Sequence, residues 1–194
     1  MPLTPFHYPI AWGLSKIDKR LNLPALIVGS FIPDIEVPFL FFFFSGIFPD
    51  HLILHSLLGA LTLGTVISVF TTVYIYPIIV STLFRLDKKK IKEICRFSPT
   101  LLLSCILGIV FHLFLDILMH PFNPTLWPFD SPYNFVGIIV MIFSVGGNLE
   151  VGFLYARILV NGIMVSVMGL LFIILHIKNK DHFWEVVLTG KINN

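Results

Sequence analysis

Gly108-Ile109-Val110-Phe111-His112-Leu113-Phe114-Leu115-Asp116-Ile117-Leu118-Met119-His120-Pro121 is the stretch that decides the fold. It is apolar enough to lie in a bilayer, yet it carries His112, Asp116 and His120. Steps of four residues put these three on one face of a helix, one turn apart. An ionisable group at membrane depth is costly, so such groups face a protected interior and serve a function. Imidazole, carboxylate and imidazole on one stripe are ligand types that suit zinc or a similar transition metal. The competing reading is a set of buried polar groups that hydrogen-bond neighbouring helices. Asp116 fits that reading least, because an unpaired carboxylate is expensive there.

The rest of the chain has the composition of a membrane protein. Of 194 residues, 56% are hydrophobic and 12% charged, and the mean hydropathy is +0.90. These values argue against an ordinary soluble domain and predict an all-α, polytopic integral membrane helical bundle. The length suits one domain, 1–194. The net charge of +2 says little, but the placement of charge says more. Lys16, Lys19 and Arg20, the run Arg85–Arg96, and Lys178 with Lys180 are predicted to lie on the cytoplasmic side. The basic residues lack interleaved aromatics, so no nucleic-acid partner is expected. Cys95 sits in the basic run and Cys105 in an apolar one, which predicts neither a disulfide nor a zinc thiolate. The opening Met1–His7 has no basic region followed by an apolar core, so no cleavable signal peptide is expected there.

In chain order, residues 1–50 read as a short N-terminal helical hairpin and a Phe-rich segment. Thr4 is the expected cap, with Pro5 in the first turn of a helix running to about Arg20. Asn22 and Pro24 turn the chain into a second short helix, which is expected to stop at Pro33-Asp34. Arms of roughly 15–20 Å would return Asp34 to the level of His7. Phe39–Phe44 reads as lipid-facing bulk, and Ser45-Gly46 with Pro49-Asp50 as a loop. Residues 51–177 hold the membrane helices. His51 and His55 open a helix, and 56–84 is long enough to span. Pro99–Met119 spans back. Trp127, in a proline-rich loop, suits an interface. Tyr133–Val145 is short and is broken by Gly146-Gly147-Asn148, which predicts a re-entrant or interfacial helix. Val151–Ile177 is a full span, and 178–194 is a cytoplasmic tail with an amphipathic piece at Phe183-Trp184.

With the basic segments inside, His7, Asp34, His51, His55, Asp116 and His120 all fall toward the extracytoplasmic face. The candidate metal ligands are therefore His7, Asp34, His51, His55, His112, Asp116 and His120. Asp34, Glu36 and Asp116 are the candidate catalytic carboxylates. Duller roles stay open: Asp34 as a helix cap, His51 as a solvent-exposed residue, His7 as an interfacial histidine. Glu36 is a partner of Asp34 or a general base. Glu150 and Arg157 read as a buried ion pair or a lipid-headgroup contact, and His176 and His182 lie outside the site. Two carboxylates and several imidazoles suit one to three divalent ions, zinc first. A metal site with an open position makes a nucleophile of water near neutral pH.

At these residues the sequence resembles the bacterial and archaeal families described as membrane-bound metal-dependent hydrolases. The matching pieces are Met1-Pro2-Leu3-Thr4-Pro5-Phe6-His7, Gly29-Ser30-Phe31-Ile32-Pro33-Asp34, and His55-Ser56 with Gly59. They continue with His112-Leu113-Phe114-Leu115-Asp116, His120-Pro121 and Leu126-Trp127-Pro128-Phe129. More distantly, the order Asp, His, His-x-x-x-Asp, His is similar to the all-helical zinc-dependent phospholipase C and single-strand nuclease superfamily. That resemblance implies Asp34, His55, His112, Asp116 and His120 as ligands. An N-terminal Trp ligand and a late His-x-x-x-Glu are missing, which implies a mono- or dinuclear centre. The expected function is metal-dependent hydrolysis of a phosphoester in a lipid or lipid-linked substrate. The alternatives are a metal-ion or proton transporter, or a non-catalytic membrane assembly protein.

Overall fold

The computed structural model describes residues 4–44, 46–49 and 51–191. The expectations for the Thr4 side chain, Ser45 and Asp50 lie outside the described residues. Every element described is helical and none is a strand, so the all-α bundle holds. A tight 3-10 turn, Thr4–His7, leads into α1, Tyr8–Ile17. Asn22 then caps α2, Leu23–Phe31: its side chain accepts the Ala25 N–H at 3.0 Å and donates to the Ile94 carbonyl at 2.7 Å. One residue thereby starts a helix and ties it to the basic segment.

The helical run does not end at Pro33. Proline has no N–H for the helical ladder, so the helix breaks there, but a single 3-10 turn, Pro33–Ile35, carries it into α3, Glu36–Phe44. Leu23–Phe44 is thus one run long and apolar enough to cross a bilayer. The second arm of the expected hairpin is the first half of a span. Non-helical backbone at membrane depth is tolerated where protein buries it, and both Asp34 at the break and Glu36 just beyond it are buried. Phe39, Phe41, Phe42 and Phe43 are exposed, as lipid-facing residues should be.

Three further helices have the length and composition to cross: α4, Leu57–Phe84, interrupted by π turns at Ala60–Gly64 and Thr71–Ile75, then α6, Pro99–Met119, and α8, Leu149–Lys178. Four such helices support an integral membrane protein. Short helices link them: α5, Lys88–Ile94, and α7, Ile138–Phe143, with α9, Phe183–Thr189, last. At six residues α7 is too short to span; Val140 packs it against Met119 of α6 and Ala156 of α8. Glu150 and Arg157 are both exposed on α8, and no ion pair joins them.

The centre of the bundle is the crossing of α2 and α6. A Cβ at Gly29 would stand 2.3 Å from the Cys105 carbonyl oxygen, and one at Gly108 2.4 Å from that of Leu26. Only glycine permits such backbone contact, which is how small residues drive helix association in lipid. Both cysteines are free and buried. At one end, α9 is pinned by Tyr8, whose hydroxyl donates to the Val187 carbonyl at 2.9 Å, and by Tyr76, which donates to that of Leu188 at 2.7 Å. Arg20, Arg96 and Lys191 line one cavity of about 550 Å³ there. Arg20 and Arg96, from two of the basic segments, therefore lie at one end of the bundle.

Candidate metal centre

Glu36 builds the first half of the site. Its carboxylate accepts the backbone N–H of Leu52 at 2.8 Å, of Leu54 at 2.7 Å and of His55 at 3.2 Å. These bonds wrap the loop before α4 around one buried anion. The same Oε1 lies 2.7 Å from His55 Nδ1. A carboxylate can only accept, so Nδ1 carries a proton, and Nε2 points the other way with a lone pair for a metal ion or a second proton. Ser56 then caps α4 by accepting the Gly59 N–H at 3.0 Å.

The α2–α6 crossing builds the second half. Gly108 is one turn before His112, and Gly29 precedes Ser30. The backbone contact therefore brings the Ser30 carbonyl to 2.7 Å from His112 Nδ1. A carbonyl also only accepts, so His112 too presents its Nε2 lone pair away from the partner that orients it. Metal-ligating histidines are held in this way, by a carboxylate or a carbonyl on the far ring nitrogen.

Both lone pairs meet two carboxylates. His112 Nε2 is 3.4 Å from His55 Nε2, 3.1 Å from Asp116 Oδ2 and 3.4 Å from Asp34 Oδ1. His55 Nε2 is 3.3 Å from Asp116 Oδ2 and 3.7 Å from Asp34 Oδ1. One ligand atom from each of Asp34, His55, His112 and Asp116 lies within 4.8 Å of all the others. Four ligands about 2.0–2.2 Å from a tetrahedral ion stand about 3.3–3.6 Å apart. The separations that involve an imidazole, 3.1–3.7 Å, lie near that range, and all four residues are buried. The group can hold a metal ion. Burial opposes a charge on His55, but hydrogen bonds to Asp116, Asp34 and Glu36 outweigh it and raise its pKa well above the usual histidine value. The site is thus built to bind positive charge, whether a proton or a metal.

The remaining predicted ligands stand around this cluster. His7 stacks on the His112 ring at 4.3 Å. Burial, then His112, lowers its pKa to about 4, so the ring is neutral. His51 is buried and not solvent-exposed; its ring meets those of His55 at 4.3 Å and His120 at 5.0 Å. Burial, then His55 and His120, lowers it to about 2. His120 ends α6 with Nε2 3.8 Å from Asp116 Oδ1, and burial lowers it to about 4. His176 is exposed and His182 pairs with Glu185 at 3.1 Å, outside the site. Sequence reasoning missed Ser30, whose contribution is a main-chain oxygen and so leaves no side-chain signal. It also missed Gly108, whose spacing four before His112 was legible.

The family model described as a domain of unknown function, DUF4184, matches residues 1–182. The match is to a domain without an assigned activity and not to a hydrolase family. No curated protein and no solved structure matches the chain.

Proposed function

The chain belongs to the DUF4184 family, and from that premise we propose that it is a zinc-type metal-dependent hydrolase acting on a phosphoester in a membrane lipid or lipid-linked substrate. The observation that carries this reading is the buried set of His55, His112, Asp34 and Asp116, drawn from three segments of the chain, with His55 and His112 oriented from behind by Glu36 and Ser30. A divalent ion held there supplies Lewis acidity and activates water near neutral pH. The chain's own work is to hold and orient. Asp34 and Asp116 bring anionic oxygens, and His55 and His112 bring fixed lone pairs. The oxygens of Glu36 are taken up by four donors, so it is a positioning residue and not a general base. A lipid substrate is favoured by an apolar groove of about 490 Å³ between the first span and α4, lined by Ile27, Ile32, Ile79 and Val80 and reaching Asp34. It offers a hydrocarbon chain a place beside the cluster. The positive-inside rule supports a cytoplasmic basic end, with 85–96, and a cluster toward the extracytoplasmic face.

The test uses the purified full chain in detergent. Bound metal is measured for the native protein and for His112→Ala with Asp116→Ala. Hydrolysis is then followed on phosphatidic acid, phosphatidylcholine and an isoprenyl diphosphate in mixed micelles. Metal in the native protein alone, with turnover of one substrate class, supports the reading. Metal without turnover of any, coupled to His112-dependent ion flux in proteoliposomes, would replace hydrolysis by transport. Equal, near-zero metal in both proteins removes the site.

A further inference from the structure

Behind the four-ligand cluster lies a second group of ring nitrogens without a hydrogen-bond partner among the described residues. His51 is 8% exposed and His120 5%. Both ring nitrogens of His51, Nε2 of His120 and Oδ1 of Asp116 are buried and make no hydrogen bond. Leaving a buried polar atom unpaired costs about 1–3 kcal/mol, so four in one place call for an explanation. They also converge. The His51 and His120 rings are 5.0 Å apart, and His120 Nε2 is 3.8 Å from Asp116 Oδ1. His51, His55, Asp116, His120, Asn123 and Thr125 line a single cavity of about 10 Å³, room for the centre of one water-sized body.

The backbone holds this geometry deliberately. Gly137 donates its N–H to the His120 carbonyl at 2.8 Å, and a Cβ at Gly137 would lie 2.8 Å from that oxygen. The side chain of Asn123 donates to it as well, at 3.3 Å. The Leu57 N–H, at the start of α4, donates to the Thr125 carbonyl at 2.9 Å. The loop after α6 is thereby clamped over the cavity, with the His120 ring turned inward.

The two oxygens of Asp116 face opposite ways. Oδ2 serves His55 and His112, and Oδ1 faces His120. We infer that His51, His120 and Asp116 Oδ1 form a second divalent-metal position, with Asp116 bridging it to the first. Charge points the same way. Asp34, Glu36 and Asp116 are three buried carboxylates, and among the described residues the ion-pair partners of Asp116 are histidines. One divalent ion would leave a net −1 on these carboxylates, which a second more than offsets. Close metal pairs of about 3.5–4 Å clamp the two oxygens of an in-line phosphoester displacement. This inference rests on the four-ligand site, because Asp116 belongs to both.

The experiment counts metal. The full chain is purified in detergent, loaded with Zn²⁺ and measured by mass spectrometry of the metal. A second sample is loaded with Mn²⁺ for electron paramagnetic resonance. The expected result is about two equivalents per chain, falling to about one in His51→Ala with His120→Ala. The manganese spectrum should be exchange-coupled in the native protein and become an isolated six-line signal in the variant. One equivalent in native and variant alike overturns the second position and leaves the first standing. Two in both overturns the assignment of His51 and His120. None in the native protein removes both positions. The native stoichiometry and spectrum decide the matter even if the variant fails to fold.

Discussion

His112 Nδ1 lies 2.7 Å from the Ser30 carbonyl, across 82 residues of sequence. That bond exists because two glycines let α2 and α6 touch. A candidate ligand is thus aimed by a backbone oxygen, and the oxygen is delivered by the absence of two side chains.

Gly108→Val should therefore empty the site without touching a ligand. Its Cβ would meet the Leu26 carbonyl oxygen at 2.4 Å, and backbone cannot yield as a flexible side chain can. Overpacking of this kind costs about 1–3 kcal/mol. Bound metal should fall to the level of His112→Ala. Gly162→Val, where nothing lies within 4 Å, should keep its metal. Equal metal in the two variants would show that the crossing does not aim His112.

Glu36 is the next point of failure. Glu36→Gln keeps the volume but turns an amide donor toward groups that are themselves donors. Breaking a buried charge network costs about 3–5 kcal/mol. For a chain of this size that is a Tm drop of roughly 6–20 °C, measured by thermal unfolding in detergent. A drop under about 2 °C would mean that the loop holding His51 and His55 is folded by something else.

Metal itself should stabilise the fold. An ion that binds only the folded chain adds about 2.7 kcal/mol at a hundredfold excess over its Kd. Chelation should lower the Tm of the native protein, and added Zn²⁺ should restore it. His112→Ala should show neither response. A native Tm indifferent to metal would argue against any resident ion.

Cys95 offers a pH test away from the site. Burial, helped by Cys105, pushes its thiol up to about 12 from the usual 9.0. At pH 8 the thiolate is about one part in 10⁴, so maleimide should not label Cys95 in the folded protein. Between pH 9 and 12 the unfolded chain loses this proton and the folded chain keeps it, so stability falls as pH rises through that window. Labelling of the native protein at pH 8 as fast as of a free thiol would show that the segment around Cys95 is open.

Tyr8→Phe should loosen the basic end alone. It removes the hydroxyl that donates to the Val187 carbonyl, worth about 1 kcal/mol. Hydrogen exchange in α9 should quicken, with metal content unchanged. Unchanged exchange would assign the docking of α9 to its apolar contacts.

By itself the sequence determined the class of fold and the kinds of ligand. Composition and apolar run length fix a helical membrane bundle because backbone in lipid must satisfy itself, and the spacing of His112, Asp116 and His120 fixes a stripe because a helix repeats near every fourth residue. Tertiary structure decided the rest. Pro33 read as an end and proved a bend within a span, since a break buried by neighbouring helices need not terminate them. Glu36 read as a base or a partner and proved to have its oxygens filled by the loop it folds. Which imidazole nitrogen faces the cluster was settled by Glu36 and Ser30, contacts between segments far apart in the chain. Periodicity reports what lies along one helix, whereas a coordination frame is made of distances between helices, and only packing sets those.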